Sequence, residues 1–163
     1  MEDSRVARGM RAQLALRRKR LEAGETALGW KVGFGSPASL ERLGLSGPLV
    51  GFLLREARVV SGASVSVGGW AKAVAEPEIA VHLGADVPGG SGLEEAREAI
   101  VALGPAIELA DVSFPADDVE RILAANIYQR AVVLGPRSEA GAGQSVSNRP
   151  ILTPSPARGR GLG

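Results

Sequence analysis

The sequence predicts an α+β domain, rich in short strands with helices flanking them. Apolar and polar residues alternate with period two over several short runs, as the two faces of a strand require. Those runs are bounded by glycine turns, and between them lie stretches with helical spacing that open on serine, proline or acid. At 163 residues, 45% of them hydrophobic, the chain can bury one sizeable core but hardly two.

Residues 5–23 have helical spacing, with Val6, Met10, Leu14 and Leu21 near one stripe and arginines over the rest, and Gly24 ends the pattern. Arg17-Arg18-Lys19-Arg20 falls in the last turns, where positive charge favours the helix dipole, so it reads as a solvated helix end rather than a nucleic-acid patch. Gly29-Trp30-Lys31-Val32-Gly33-Phe34-Gly35 alternates as a strand. Trp30, Val32 and Phe34 share one face, and Lys31 shares the other with the glycines. A lysine among glycines either meets a substrate close to the backbone or guards an open sheet edge, and the residues leave both readings open.

Ser36-Pro37 supplies an N-cap and a first helical residue and Gly44 a stop, which predicts a short helix over 37–43. Residues 49–54 read as a buried strand, with the polar pair Arg55-Glu56 after it. Residues 59–67 are strand-like with a break at Gly62, and Gly68-Gly69 make a turn. Past the loop Pro88-Gly89-Gly90-Ser91-Gly92, residues 93–103 have the spacing of an amphipathic helix opened by Glu94 and Glu95 and stopped by Gly104-Pro105. Residues 106–112 form a strand that turns Ile107 and Leu109 one way and Glu108 the other; a buried Glu108 there needs a partner. A helix over 116–125 begins with Asp117 and Asp118, and 130–134 is the last strand.

The run Ala75-Glu76-Pro77-Glu78-Ile79-Ala80-Val81-His82-Leu83 carries the chemistry. As a strand it sets Glu76, Glu78, Ala80 and His82 on one face and five apolar residues on the other. Pro77 keeps Glu76 extended and removes a ladder donor, which suits a strand start or an edge. The two acids stand roughly 6–7 Å apart at their Cα atoms, so their oxygens can converge on one point. Close carboxylates repel by roughly 4 kcal/mol at about 4 Å and an effective dielectric of about 20. Either a cation neutralises them, one is protonated, or they point into water. His82 lies about 13 Å beyond Glu78 along the strand, too far to share a cation, and reads as a rim or packed residue.

Composition narrows the choice. Without cysteine and with one histidine, the chain can build no disulfide, thiolate or multi-histidine centre, which leaves carboxylates on a hard metal. No apolar run approaches the ~20 residues of a membrane helix and no signal-peptide core opens the chain, so no membrane partner and a cytoplasmic address are expected. Residues 136–163 carry four arginines against one glutamate, so that stretch is +3 and residues 1–135 are −2. Nucleic acid is therefore not an expected partner of the folded part. The same 28 residues lose all hydrophobic period and are expected to be a disordered Pro/Gly/Arg-rich tail.

Four pieces stand in order: Gly29-Trp30-Lys31-Val32-Gly33 with Ser36-Pro37, Val50-Gly51-Phe52-Leu53, Glu76-Pro77-Glu78-Ile79-Ala80, and Ala106-Ile107-Glu108-Leu109-Ala110-Asp111. Together they resemble the 2-keto-4-pentenoate hydratase and 4-oxalocrotonate decarboxylase branch of the fumarylacetoacetate hydrolase superfamily. The resemblance covers residues 5–135 and implies a β-roll with flanking helices. Family chains continue with further strands that complete the roll, so it also implies a C-terminally truncated or altered chain, with 1–135 a partial catalytic domain and 136–163 the tail. A homo-oligomer is expected to compensate for the incomplete core.

The resemblance further implies Mg2+ or Mn2+, held by Glu76 and Glu78 as the family's Glu-x-Glu pair and by Glu108 as its third carboxylate. Lys31 matches the active-site lysine of the Gly-x-Lys-[Val/Ile]-Gly motif. Ser36 and Asn126 are expected to touch substrate. Glu56 stands where the family has an aspartate after its Gly-x-Leu-Leu run, and is expected to replace that catalytic acid with a longer reach. Of the family's Asp-Asn-Ala-Ser-Ser, only Asn126 carries over into Ala125-Asn126-Ile127-Tyr128-Gln129. The implied activity is hydration of a 2-hydroxypenta-2,4-dienoate-type 2-keto acid through a metal-bound enolate, in meta-cleavage aromatic catabolism. Decarboxylation of the 4-oxalocrotonate type, or a catalytically inactive truncated homologue, is the alternative.

Overall fold

The computed structural model describes residues 3–139. Its elements begin with α1 (Ser4–Glu22), β1 (Ala27–Gly33), α2 (Pro37–Leu43), β2 (Leu49–Leu54), a 3-10 turn over Arg55–Ala57 and β3 (Arg58–Val59). They continue with β4 (Ala73–Leu83), α3 (Leu93–Glu98), β5 (Ile100–Asp111), α4 (Val119–Ala124), β6 (Gln129–Leu134) and β7 (Ser138–Glu139). The fold is mixed α/β, as the alternating runs and helical stretches require. No helix among the described residues is long and apolar enough to cross a membrane.

Helix α1 starts at Asp3, whose carboxylate accepts from the Arg5 backbone N–H at 2.9 Å. It crosses α4 at Gly9, where a Cβ would lie 2.7 Å from Leu123 Cβ, so only glycine permits this approach. Gln13 is buried beside it, and its Nε2 donates to the carbonyls of Val50 at 3.1 Å and Leu123 at 3.0 Å. The buried face thus runs through a glycine and a glutamine, while Leu14, expected on the stripe, is exposed. Leu43, Leu49, Val119, Ile122, Leu123, Ile127 and Tyr128 close the core between α2, β2 and α4.

Strands β1 and β2 pair antiparallel, with Lys31 opposite Gly51. The second sheet runs β3-β6-β5-β4, with β7 also on β5. Among the described residues this makes β4 an edge, a position that tolerates Pro77. The β4–β5 register sets Glu76 opposite Glu108 and Glu78 opposite Ala106 on one face, and Ile79 opposite Pro105 and Val81 opposite Leu103 on the other. On the first face Ala102, Ala106, Glu108 and Ala110 of β5 are buried. The apolar face is the open one: Ile79 is 73% exposed, Val81 51% and Ile107 45%.

Three expectations are corrected. The helix expected over 93–103 stops at Glu98, and from Ile100 the chain is strand, straight through Gly104 and Pro105. Pairing with 80–83 of β4 outweighs the helical spacing, and the β-branched Ile100 and Val101 favour it. The strand expected over 59–67 reduces to Arg58–Val59, because Ser61, Gly62 and Ala63 offer no apolar face. The tail expected from 136 begins with a paired segment, Ser138 against Leu103 and Glu139 against Ala102; its residues from 140 onward lie outside the described residues.

Candidate metal centre

Strict alternation along β4 and β5 brings Glu76, Glu78 and Glu108 to one place. Each offers a carboxylate oxygen, and these atoms lie within 4.8 Å of one another. Glu76 and Glu78 are exposed, whereas Glu108 is 5% exposed. The partner a buried glutamate needs is Lys31, delivered from β1 of the other sheet: its ammonium is ion-paired with Glu108 and donates to the Ile127 carbonyl at 3.0 Å. Of the two readings of Lys31 left open above, the edge guard is set aside. Its side chain is 9% exposed and points into the molecule.

These groups line a cavity of about 650 Å3, together with Phe34, Ser39, Ala116 and Tyr128. Three carboxylates face one ammonium, so the cluster carries an excess of negative charge that one divalent cation balances. The donors are all anionic oxygens, the set that suits Mg2+, Mn2+ or Ca2+ rather than softer metals. Glu76, Glu78 and Glu108 are the residues that would hold it, and the open side would admit further oxygen ligands.

Burial holds the Glu108 carboxyl above its ordinary pKa; the Lys31 charge and hydrogen bond oppose this, and Glu76 and Glu78 add to it. A raised folded-state pKa favours the protonated form in the fold. Its contribution to stability is full below the ordinary value of 4.5 and is lost as pH rises through the folded value. The metal-free protein is therefore expected to melt at lower temperature as pH rises through that titration, and Glu108→Gln to flatten the slope. Calorimetric melts across pH test this, and an unchanged slope in the variant would assign the effect elsewhere.

The other expected site residues lie differently. Ser36 caps α2: its Oγ accepts from the Ser39 N–H at 3.2 Å and donates to Ser39 Oγ at 2.8 Å, and it is Ser39, not Ser36, that lines the cavity. Glu56 is carried by the 3-10 turn back to the start of β1, where both its oxygens accept from the Thr26 N–H at 3.0 and 3.1 Å. That bond holds its pKa low, and Glu56 is outside the cavity lining. Asn126 is buried and spends both ends of its amide on Phe52, accepting from its N–H at 2.8 Å and donating to its carbonyl at 2.9 Å. None of the three is among the residues that line the cavity. His82 is half-buried opposite Ala102, as a packed residue. Sequence reasoning missed Phe34, Ser39 and Tyr128 as lining residues; the one available signal was the closeness of Phe34 and Ser39 to Lys31 along the chain.

No model of a known protein family matches the chain. A 4-oxalocrotonate decarboxylase from a Pseudomonas species is 33% identical over 92 residues, which are 56% of this chain and 36% of that protein. The solved 4-oxalocrotonate decarboxylase from Pseudomonas putida G7, complexed with magnesium and adipate, superposes with a TM-score of 0.73 at 26% identity, over 80% of this chain and 51% of that one. The chain is homologous to 4-oxalocrotonate decarboxylase. The same enzyme complexed with calcium and acetate gives a TM-score of 0.73 at 27% identity, over 80% of this chain and 50% of that one. The chain thus spans about a third of the curated relative's length and about half that of the solved ones.

Proposed function

We propose that this chain carries the cation-binding half-site of a metal-dependent enzyme acting on 2-keto acids, and that the reaction is decarboxylation of a 4-oxalocrotonate-type diacid. The observation that carries the reading is the convergence of Glu76, Glu78 and Glu108 beside Lys31 in one cavity. The similarity to decarboxylases supports it, as does the relative solved with magnesium and adipate, a linear diacid. Hydration of a dienoate, the activity first expected from the sequence, needs the same centre and differs only in what happens at the far end of the substrate.

Glu76, Glu78 and Glu108 would hold Mg2+ or Mn2+, and a bound dication supplies Lewis-acid charge to the keto and carboxylate oxygens of a 2-keto acid. In this reading Lys31 meets the charge that develops on the keto oxygen as carbon dioxide leaves and its electron pair moves through the conjugated system. Its ammonium N–H, held by Glu108 and the Ile127 carbonyl, can stabilise that oxygen and exchange a proton with it. Phe34, Ala116 and the ring of Tyr128 supply an apolar wall that keeps water from the carbon chain.

Titrating the chain with magnesium and following a 4-oxalocrotonate-type diacid by mass tests the reading. Loss of carbon dioxide that stops with chelator supports decarboxylation, and gain of water by a dienoate supports the hydratase. Cation binding without turnover of either would identify a non-catalytic homologue. Glu78→Ala is expected to weaken magnesium binding about tenfold or more, because affinity follows the number of charged ligands. Isothermal calorimetry reads this directly, and unchanged affinity would remove Glu78 from the centre.

A further inference from the structure

Asn126, Ile127 and Tyr128 all have positive φ, at 53°, 52° and 60°. Left-handed backbone is disfavoured for any residue with a β-carbon, most of all for a β-branched one such as Ile127, and three in succession persist only if the surroundings impose them. They do so here through the Asn126 amide, which pairs with both backbone groups of Phe52, and through backbone bonds from Ile127 N–H to the Ile122 carbonyl at 2.8 Å and from Asp111 N–H to the Tyr128 carbonyl at 3.0 Å. The product of this turn is one acceptor at the cavity wall, the Ile127 carbonyl, which accepts from Lys31 Nζ. Gly51 completes the arrangement. A Cβ there would lie 3.0 Å from Asn126 Oδ1 and 3.1 Å from Lys31 Cγ, so the missing side chain lets the lysine stem and the amide share one spot over β2.

We propose that Asn126 is a positioning residue for Lys31: its amide clamp on Phe52 maintains the left-handed turn whose Ile127 carbonyl, with Glu108, fixes the ammonium over the carboxylates. The proposal rests on the role given to Lys31 above, and its test is read independently of turnover.

The chain has three lysines, and Lys19 and Lys72 are exposed. Amine acylation of the full chain, read residue by residue by mass spectrometry, reports how firmly Lys31 is held. Lys31 in the native chain is expected to react about tenfold more slowly than Lys19 and Lys72, as a charge-assisted hydrogen bond implies. In Asn126→Ala it should come within about threefold of them, because the carbonyl is no longer presented. Gly51→Ala, which presses on the same two groups, should do likewise and serves if Asn126→Ala does not fold. Leu43→Ala controls for lost stability: it removes a buried side chain of the same core without touching the clamp, and should leave Lys31 protected.

Continued protection of Lys31 in both clamp variants, with folding intact by circular dichroism, overturns the proposal. Equal exposure in Leu43→Ala also overturns it, since general loosening would then suffice. Where 2-keto acid turnover is present, kcat should fall with Lys31 exposure while KM stays near native. If labelling follows the clamp but no 2-keto acid is turned over by the native chain, the positioning stands and the functional reading falls.

Discussion

Glu108→Ala is expected to abolish magnesium binding at millimolar concentration and to destabilise the metal-free protein by about 3 kcal/mol. Both effects come from one position. Glu108 is the buried member of the carboxylate trio and the counter-ion of Lys31, whose side chain is 9% exposed. Removing it leaves the ammonium in a poorly solvated place with only the Ile127 carbonyl, and breaking a buried pair from one side typically costs about 3–5 kcal/mol. The two losses separate in a double variant. Lys31→Met with Glu108→Leu replaces the pair by apolar groups, so stability should return while cation binding does not. Chemical denaturation and isothermal calorimetry make the measurements, and magnesium binding retained by Glu108→Ala would dismantle the proposed centre.

Lys31→Met alone should lower kcat on a 2-keto acid by about 10²–10³-fold, the usual effect of removing a donor that meets developing charge. Cation affinity should move the other way. Lys31 is paired with the carboxylate that a cation would use, and two like charges at about 5 Å repel by about 3 kcal/mol at an effective dielectric of about 20. Removing the ammonium therefore tightens magnesium binding even as it slows the reaction. A variant in which binding weakens in step with turnover would mean that Lys31 supports the cation site rather than competing with it. Direct binding measured beside single-turnover kinetics distinguishes the two.

The site was legible where a single period decided it. Alternation along 75–83, 106–112 and 29–35 gives the faces of Glu76, Glu78, Glu108 and Lys31, while joining Glu108 and Lys31 to the acid pair came only from the family resemblance. The backbone partners of Asn126, Ser36 and Glu56 were not legible, because a polar side chain near a site can serve the backbone as readily as a ligand. Asn126 pairs with Phe52, 74 residues away, and no local pattern announces that. In the fold, helices with caps came through well: α2 has the Ser36 cap and Gly44 in the left-handed region at φ 62°. The misread helix over 93–103 shows the limit of local signals. Gly104 and Pro105, ordinary helix stops, sit inside β5 because a Cβ on Gly104 would lie 3.0 Å from the Pro136 carbonyl and because the Pro105 carbonyl accepts from Gly135 N–H at 2.8 Å. Both reasons depend on a segment thirty residues downstream.

The bonds that assemble the centre span long stretches of chain: 77 residues separate Lys31 from Glu108, and 96 separate it from Ile127. Closing such loops is entropically slow, so during refolding the local elements should be complete well before the lysine docks. Recovery of cation affinity would then lag the return of circular dichroism, and a nascent chain would have no working centre until residue 127 had been made and folded back onto the first sheet.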